Sequence, residues 1–240
     1  MSKLAAQGLR KVYSKKLVVK GVDLCLDQGE VVGLLGPNGA GKTTTFYMLV
    51  GIVRPNAGRI FVDQAEITAW PLHKRARFGL SYLPQESSVF TRLTVRENLQ
   101  IILEFTGLSR KEQEDKMVSL LSELGIEKLK NQKATHLSGG ERRRLEIARA
   151  LIRDPDFILL DEPFAGIDPL AVDDIQQIIV ALREKGIGVL ISDHNVRETM
   201  TICDRVSLVY DGEIILEGSP AEIAANHQAR NVYLGERFYL

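Results

Sequence analysis

Residues Gly36-Pro37-Asn38-Gly39-Ala40-Gly41-Lys42-Thr43 follow a continuous apolar run and precede a stretch of helical periodicity. Glycines at this spacing let successive backbone N–H groups turn inward around polyphosphate oxygens, and the following helix adds its positive end. Lys42 supplies a mobile cation for the outer phosphates and Thr43 a hydroxyl for Mg2+, with Thr44 completing the candidate loop. Much later, Phe157-Ile-Leu-Leu-Asp161-Glu162-Pro163 has the pattern of a buried strand ending in two adjacent carboxylates. Asp161 is placed to hold the metal's shell. Glu162, turned away from it by strand alternation, is placed to polarise an attacking water. Together these residues point to phosphoryl transfer to water, which needs positioning and charge neutralisation more than covalent chemistry.

Other candidates are weaker one by one. Gln85, in Tyr82-Leu-Pro-Gln85-Glu86, follows a short apolar strand, where its amide could touch both metal and water. His194, in Ile191-Ser-Asp-His194-Asn, also follows a strand and could donate to a γ-phosphate, though alone it reads as an ordinary histidine. Tyr13 could stack on a base, or simply pack. Leu137-Ser138-Gly139-Gly140-Glu141 opens a second helix and offers another anion site through its free N–H groups. Ser138 and Glu141 equally fit a capping box. One polyphosphate already has its cradle, so a second site on a separate stretch points to a nucleotide held between two copies of the chain.

The elements that must position these groups are legible in outline. Residues 4–27 alternate as antiparallel strands, 30–35 read as a doubly buried strand, and 42–51 as a helix. Helical patterns fill 93–152, with capping boxes at Thr94–Glu97 and Ser109–Glu112. Buried strands are expected at 157–160 and 188–191, with a helix at 174–185 between them. A hairpin is expected around Asp211-Gly212, then a helix opening at Ser219-Pro220. The fold class is therefore α/β, with an N-terminal antiparallel β-subdomain and an inserted helical subdomain. The expected boundaries are 1–86 and 153–240 for the core and β-subdomain, and 87–152 for the helices.

Composition narrows the function classes. The chain has 240 residues, 45% apolar and 26% charged, ordinary for a globular protein with a sizeable core. Lys plus Arg equals Asp plus Glu at 31 each, so no basic field draws nucleic acid or acidic lipid. No apolar run approaches a membrane span. The opening MSKLAAQGLRKVY lacks a signal-peptide core, and a cytoplasmic location is expected. Cys25 and Cys203 are expected to be reduced packing residues.

Taken jointly, Tyr13, GPNGAGKTT, Gln85, LSGGE, ILLDEP, Asp168 and His194 resemble the nucleotide-binding domain of ABC transporters over essentially the whole chain. The resemblance implies a P-loop NTPase with a RecA-like core, and a head-to-tail homodimer enclosing two ATP with Mg2+. It implies that Ser138, Gly139 and Gly140 face ATP bound by the opposite chain and that Asp168 communicates across the interface. It assigns the metal to Thr43, Gln85 and Asp161, and catalysis to Glu162, His194 and Gln85. The signature ends in Glu141 where the family pattern has Gln. A finer resemblance, carried by GERRRLEIARAL, DHNVRET and the tail VYLGERF, is to the lipopolysaccharide-export branch; branched-chain amino-acid importers share a related tail. Either branch implies two integral membrane partners and membrane contact only through them, on the cytoplasmic face of the inner membrane. Between Gln85 and Thr94, Phe90 and Arg92 are candidate docking residues for those partners, with packing of the inter-domain seam as the alternative. A soluble ABC ATPase that remodels ribosomes or DNA is the competing class. Family members of that kind carry tandem domains or long coiled coils, and this chain has neither.

Overall fold

The computed structural model describes residues 1–236 and 238, apart from the side chain of Leu170. Arg237, inside the tail motif, lies outside the described residues. Strands β1 (Lys3–Tyr13) and β2 (Lys16–Asp27) pair antiparallel across Ser14 and Lys15. Both turn residues have positive φ, as a two-residue hairpin matching strand twist requires. Next, β3 (Val31–Leu35) leads into α1 (Lys42–Val50). Strands β4 (Ala57–Val62) and β5 (Ala65–Glu66) and helix α2 (Leu72–Arg77) occupy a stretch the sequence pattern leaves unassigned. After β6 (Leu80–Leu83) come α3 (Val95–Leu103), α4 (Arg110–Glu123) and α5 (Gly139–Leu151), each opened by a complete capping box.

The chain then returns to the sheet. It runs through β7 (Phe157–Asp161), α6 (Pro169–Glu184), β8 (Gly188–Ser192), α7 (Val196–Met200), β9 (Arg205–Tyr210), β10 (Glu213–Gly218) and α8 (Pro220–Ala225). Helix α6 begins at Pro169 rather than at Asp174, because Asp168 caps it and proline suits its first turn. The expected hairpin turn sits at Asp211 and Gly212, both at positive φ.

Two sheets result, one ordered β2-β1-β4-β5 and one ordered β10-β9-β3-β8-β7-β6. In the larger sheet β6, β7, β8, β3 and β9 run parallel, and β10 closes the edge antiparallel. The central strands alternate strictly between two cores. Val31, Leu35, Ile158, Leu160, Val189 and Ile191 join the cluster beneath α3–α6. Val32, Leu34, Phe157, Leu159 and Leu190 join the cluster with α1 and the smaller sheet. Period-two burial on both faces explains why these strands read as unbroken apolar runs. Leu99, Leu103, Met117 and Leu121 of the helical insertion share the first cluster, so the insertion packs onto the sheet rather than standing apart.

Helix α1 is held at its far end by a buried cation. The Arg75 guanidinium donates to the carbonyls of Met48, Leu49, Trp70 and Thr68, and burial pulls its pKa down to about 10. It therefore stays charged at neutral pH, at the helix end where a cation is favoured. Cys25 and Cys203 are free, with Cys203 buried. Among the described residues, no helix is long and apolar enough to cross a membrane.

Candidate active site

The loops that carry chemistry leave the carboxyl ends of β3, β6, β7 and β8, where parallel sheets place their sites. After β3, Gly36 passes so close to β9 that a Cβ would lie 2.0 Å from the Val209 carbonyl oxygen. Only glycine fits. Gly41 caps α1 with φ 106°, and the Ala40 carbonyl accepts from Gly212 N–H at 3.0 Å, tying the loop to the β9–β10 hairpin. Lys42 is buried, its Nζ donating to the carbonyls of Gly36 at 2.6 Å and Pro37 at 3.0 Å. Burial pulls its pKa below that of an ordinary lysine, while Glu162, Asp161 and Asp193 hold the charge in place. The ammonium thus lies in the loop, within electrostatic reach of three carboxylates. Asn38, Gly39 and Thr43 are exposed and Thr44 half-buried, so a polyphosphate has access to the cradle.

Asp161 ends β7 on the α1 side, where the Tyr82 hydroxyl donates to Oδ2 at 3.4 Å. Burial first, and then the charge of Glu162, push its pKa up to about 6. The neighbouring Glu162 does not follow strand alternation to the opposite face. The strand has ended, and Glu162 adopts φ 47°, a left-handed conformation costing about 1–2 kcal/mol for a residue with a side chain. Its N–H donates to the Ser192 carbonyl at 2.6 Å, and Phe164 N–H donates to Asp193 Oδ2 at 3.0 Å. These bonds staple the turn to the end of β8 and bring three candidates together. Gln85 Nε2 donates to Glu162 Oε2 at 2.8 Å, and His194 Nδ1 lies 3.3 Å from the same oxygen.

The second glycine motif is built as a helix cap. Ser138 Oγ accepts from Glu141 N–H at 3.3 Å, and Glu141 Oε2 accepts from Ser138 N–H at 2.8 Å. Glu141 in place of Gln therefore closes the capping box and adds a charge that the helix N-terminus favours. The N–H groups of Gly139 and Gly140, in the first turn, have no intrahelical acceptor. A Cβ at Gly139 would lie 3.1 Å from the Gly166 carbonyl oxygen, and one at Gly140 2.8 Å from Ala171 Cβ. The motif thus packs on the loop leading into α6, where Asp168 Oδ1 accepts from Ala171 N–H at 3.1 Å. Ser138 and Asp168 are exposed, as is Tyr13 at the end of β1, with the Lys11 ammonium 5.2 Å from its ring centre.

Sequence reasoning missed Arg143, Glu146 and Tyr82. The side chains of Arg143 and Glu146 are only 7% and 4% exposed and pair at 2.9 Å. The Arg143 guanidinium also donates to the carbonyls of Pro84, Asp161, Glu162 and Pro163. The signal was available: Gly140, Arg143, Ile147 and Leu151 recur at helical spacing on the buried face of α5. A charge at such a position requires a buried partner.

The residues expected to hold a metal, Asp161, Thr43 and Gln85, offer only hard oxygen donors, and among the described residues no group of three His, Cys, Asp or Glu could hold a metal. One carboxylate with neutral oxygens fits Mg2+, which keeps several waters, rather than a transition metal. The desolvated Asp161 carboxylate has a direct consequence for stability. Its folded pKa lies above its unfolded value, so the wild-type fold loses stability as pH rises through about 4 to 6. Asp161→Asn should therefore stabilise the chain without nucleotide or Mg2+ by roughly 2–3 kcal/mol at pH 7.5, with no advantage below pH 4. Urea unfolding of both proteins across that pH range measures it; equal stabilities at pH 7.5 would contradict the burial argument.

Comparison with known proteins agrees with this fold. The family model described as ABC transporter matches residues 19–165, and one described as branched-chain amino acid ATP-binding cassette transporter matches residues 213–239. The chain is 56% identical to the lipopolysaccharide export system ATP-binding protein LptB of Acidithiobacillus ferridurans, over 99% of this chain and 98% of that one. It is 54% identical to the protein of the same name from Escherichia coli strain K12, over the full length of both. An ATP-binding cassette of an ABC transporter in its ADP conformation superposes with a TM-score of 0.88 at 27% identity, covering 98% of this chain and all of the other. A dimeric post-hydrolysis cassette bound to ADP and Pi superposes with a TM-score of 0.80 at 27% identity, covering 90% and 98%. The family model spans the phosphate loop, the strand-end carboxylates and the second glycine helix, and the chain belongs to the ATP-binding subunits of the ABC transporter family.

Proposed function

We propose that the chain is the ATP-hydrolysing subunit of a lipopolysaccharide exporter, acting as a homodimer beneath two integral membrane subunits on the cytoplasmic face of the inner membrane. The observation that carries the hydrolytic reading is the convergence of Gln85 and His194 on one oxygen of Glu162, beside the Lys42 loop. ATP is held by Gly36 to Thr44, with Tyr13 against the base. A water between Glu162 and the γ-phosphate loses its proton to Glu162 as it attacks in line, while Gln85 and His194 orient it and Lys42 neutralises developing charge. Thr43, Gln85 and Asp161 would hold Mg2+, which when bound would supply charge neutralisation at the phosphates. Ser138, Gly139 and Gly140 close over ATP bound by the second chain, and Asp168 lies at that interface. The cargo reading is supported by full-length likeness to two exporter subunits, whereas the importer-type match is confined to the tail. Co-purifying the chain with its membrane subunits and measuring ATP-dependent release of lipopolysaccharide from proteoliposomes tests it. ATP-driven uptake of an amino acid, with no lipopolysaccharide released, would overturn it.

Docking is expected beside Phe90. The residue is 47% exposed, its ring lies 5.2 Å from the Arg149 guanidinium, and Asn98 pins its backbone through both N–H and carbonyl. That exposure supports a docking role over packing of the inter-domain seam. A groove of about 270 Å³ opens nearby between α2, β6, α3 and α5, lined by Leu72, Ala76, Tyr82, Ile102 and Ala150. A short amphipathic helix fits such a groove, with an exposed aromatic as its anchor. Phe90→Ala or Arg92→Ala should weaken assembly with the membrane subunits by about tenfold or more, with hydrolysis by the isolated chain intact. Co-purification and ATPase of the isolated chain, measured side by side, decide it: unchanged assembly, or equal loss of basal hydrolysis, places these residues in the fold.

A further inference from the structure

The same groove has an acidic residue in its wall that the docking reading does not use. Glu146 lines it, yet its carboxylate is almost fully buried and accepts three hydrogen bonds. Ser87 Oγ donates at 2.6 Å and Ser88 N–H at 3.2 Å, both from the loop that follows Gln85. On its other oxygen it holds Arg143 at 2.9 Å. Arg143 in turn gathers the carbonyls of Asp161, Glu162 and Pro163, the turn that keeps Glu162 at positive φ, together with Pro84 beside Gln85. A continuous chain of bonds thus runs from the loop at the groove to the backbone of the candidate base. Each link is buried or half-buried, where water does not compete for it and a lost partner is felt by the next.

We propose that Glu146 is a positioning residue that couples occupancy of the groove to the geometry of Glu162, with Ser87 and Ser88 as its input and Arg143 as its output. A helix seated in the groove presses on the Ser87–Ser88 loop. Glu146 follows those two donors and carries Arg143 with it. Arg143 then resets the carbonyls that define the Glu162 turn, and with them the distance from Glu162 to Gln85 and His194. Carboxylate charge is needed because Arg143 otherwise meets only neutral carbonyls, and a neutral amide would free it to shift without the loop. This inference rests on the groove being the docking site, and the test separates the two.

The experiment compares wild type, Glu146→Gln and Ser87→Ala, each alone and assembled with the membrane subunits. Assembly, KM for ATP, kcat and the ratio of assembled to isolated kcat are recorded. Ser87→Ala removes only the input bond, so the isolated chain keeps wild-type kcat and KM while the ratio falls by at least about fivefold, the lower end of ordinary coupling energies. Glu146→Gln keeps KM and assembly but lowers kcat, and its ratio falls toward one. Combining the two substitutions lowers the ratio no further than Glu146→Gln alone, because both interrupt one line. Wild-type ratios in both single variants overturn the proposal. So does a Glu146→Gln protein that loses the same factor of kcat alone and assembled, which marks a purely structural pair. Failure of the docking reading shows differently: filling the groove with Ala150→Trp then leaves assembly intact.

Discussion

Glu162→Gln should bind ATP with near wild-type affinity and hydrolyse it roughly 10²–10⁴-fold more slowly, the range expected when a positioned general base is lost. Glutamine preserves the volume of the side chain and can still accept from Gln85 Nε2 and His194 Nδ1, which lie 2.8 and 3.3 Å from Oε2. The left-handed turn is also retained, because it is held by the Glu162 N–H to the Ser192 carbonyl and by Phe164 N–H to the Asp193 carboxylate rather than by the Glu162 side chain. What the amide cannot do is take a proton from water. In the proposed site binding rests on Gly36 to Thr44, so the substitution leaves it untouched. Equilibrium binding of a fluorescent ATP analogue and single-turnover hydrolysis separate the two properties. Turnover within a few-fold of wild type would remove Glu162 from the role of base.

Much of this site could be read from sequence because its parts are short and local. The phosphate loop needs glycines wherever backbone approaches backbone, as at Gly36 against Val209, and those requirements are written in residue type. Capping boxes at Thr94, Ser109, Ser138 and Ser219 are likewise local, and all four are formed. Central strands were legible because both of their faces are buried. The stretch between Gly51 and Tyr82 was not, because β4 and β5 alternate weakly and α2 is a single short helix stabilised through Arg75. The expected opposition of Asp161 and Glu162 also fell short. It assumed that β7 continues, whereas β7 ends at Asp161 and the backbone turns to positive φ at Glu162. The helical spacing along α5 marks Arg143 as buried, but its carbonyl acceptors after β6 and at the end of β7, and the Ser87 and Ser88 donors to Glu146, lie on other elements that no spacing along α5 reveals.

Ser138→Arg should abolish steady-state hydrolysis while leaving ATP binding to each chain intact. Ser138 is exposed at the start of α5, where the Gly139 and Gly140 N–H groups remain available to an anion. Nothing in the described chain brings that helix end to its own Gly36–Thr43 loop, and the dimeric relative bound to ADP and Pi shows that such cassettes associate. A bulky arginine there obstructs closure over the partner's nucleotide and breaks the capping box. Lys42→Ala should be inactive for a different reason, because its own phosphate loop has lost its cation. The measurement that tests the shared site most directly is ATPase activity in an equimolar mixture of these two inactive proteins. A mixed dimer regains one intact site, formed by the phosphate loop of the Ser138→Arg chain and the signature helix of the Lys42→Ala chain. Random pairing in a two-fold dimer then restores roughly a quarter of wild-type activity per chain. A mixture no more active than its two components measured apart would contradict the account.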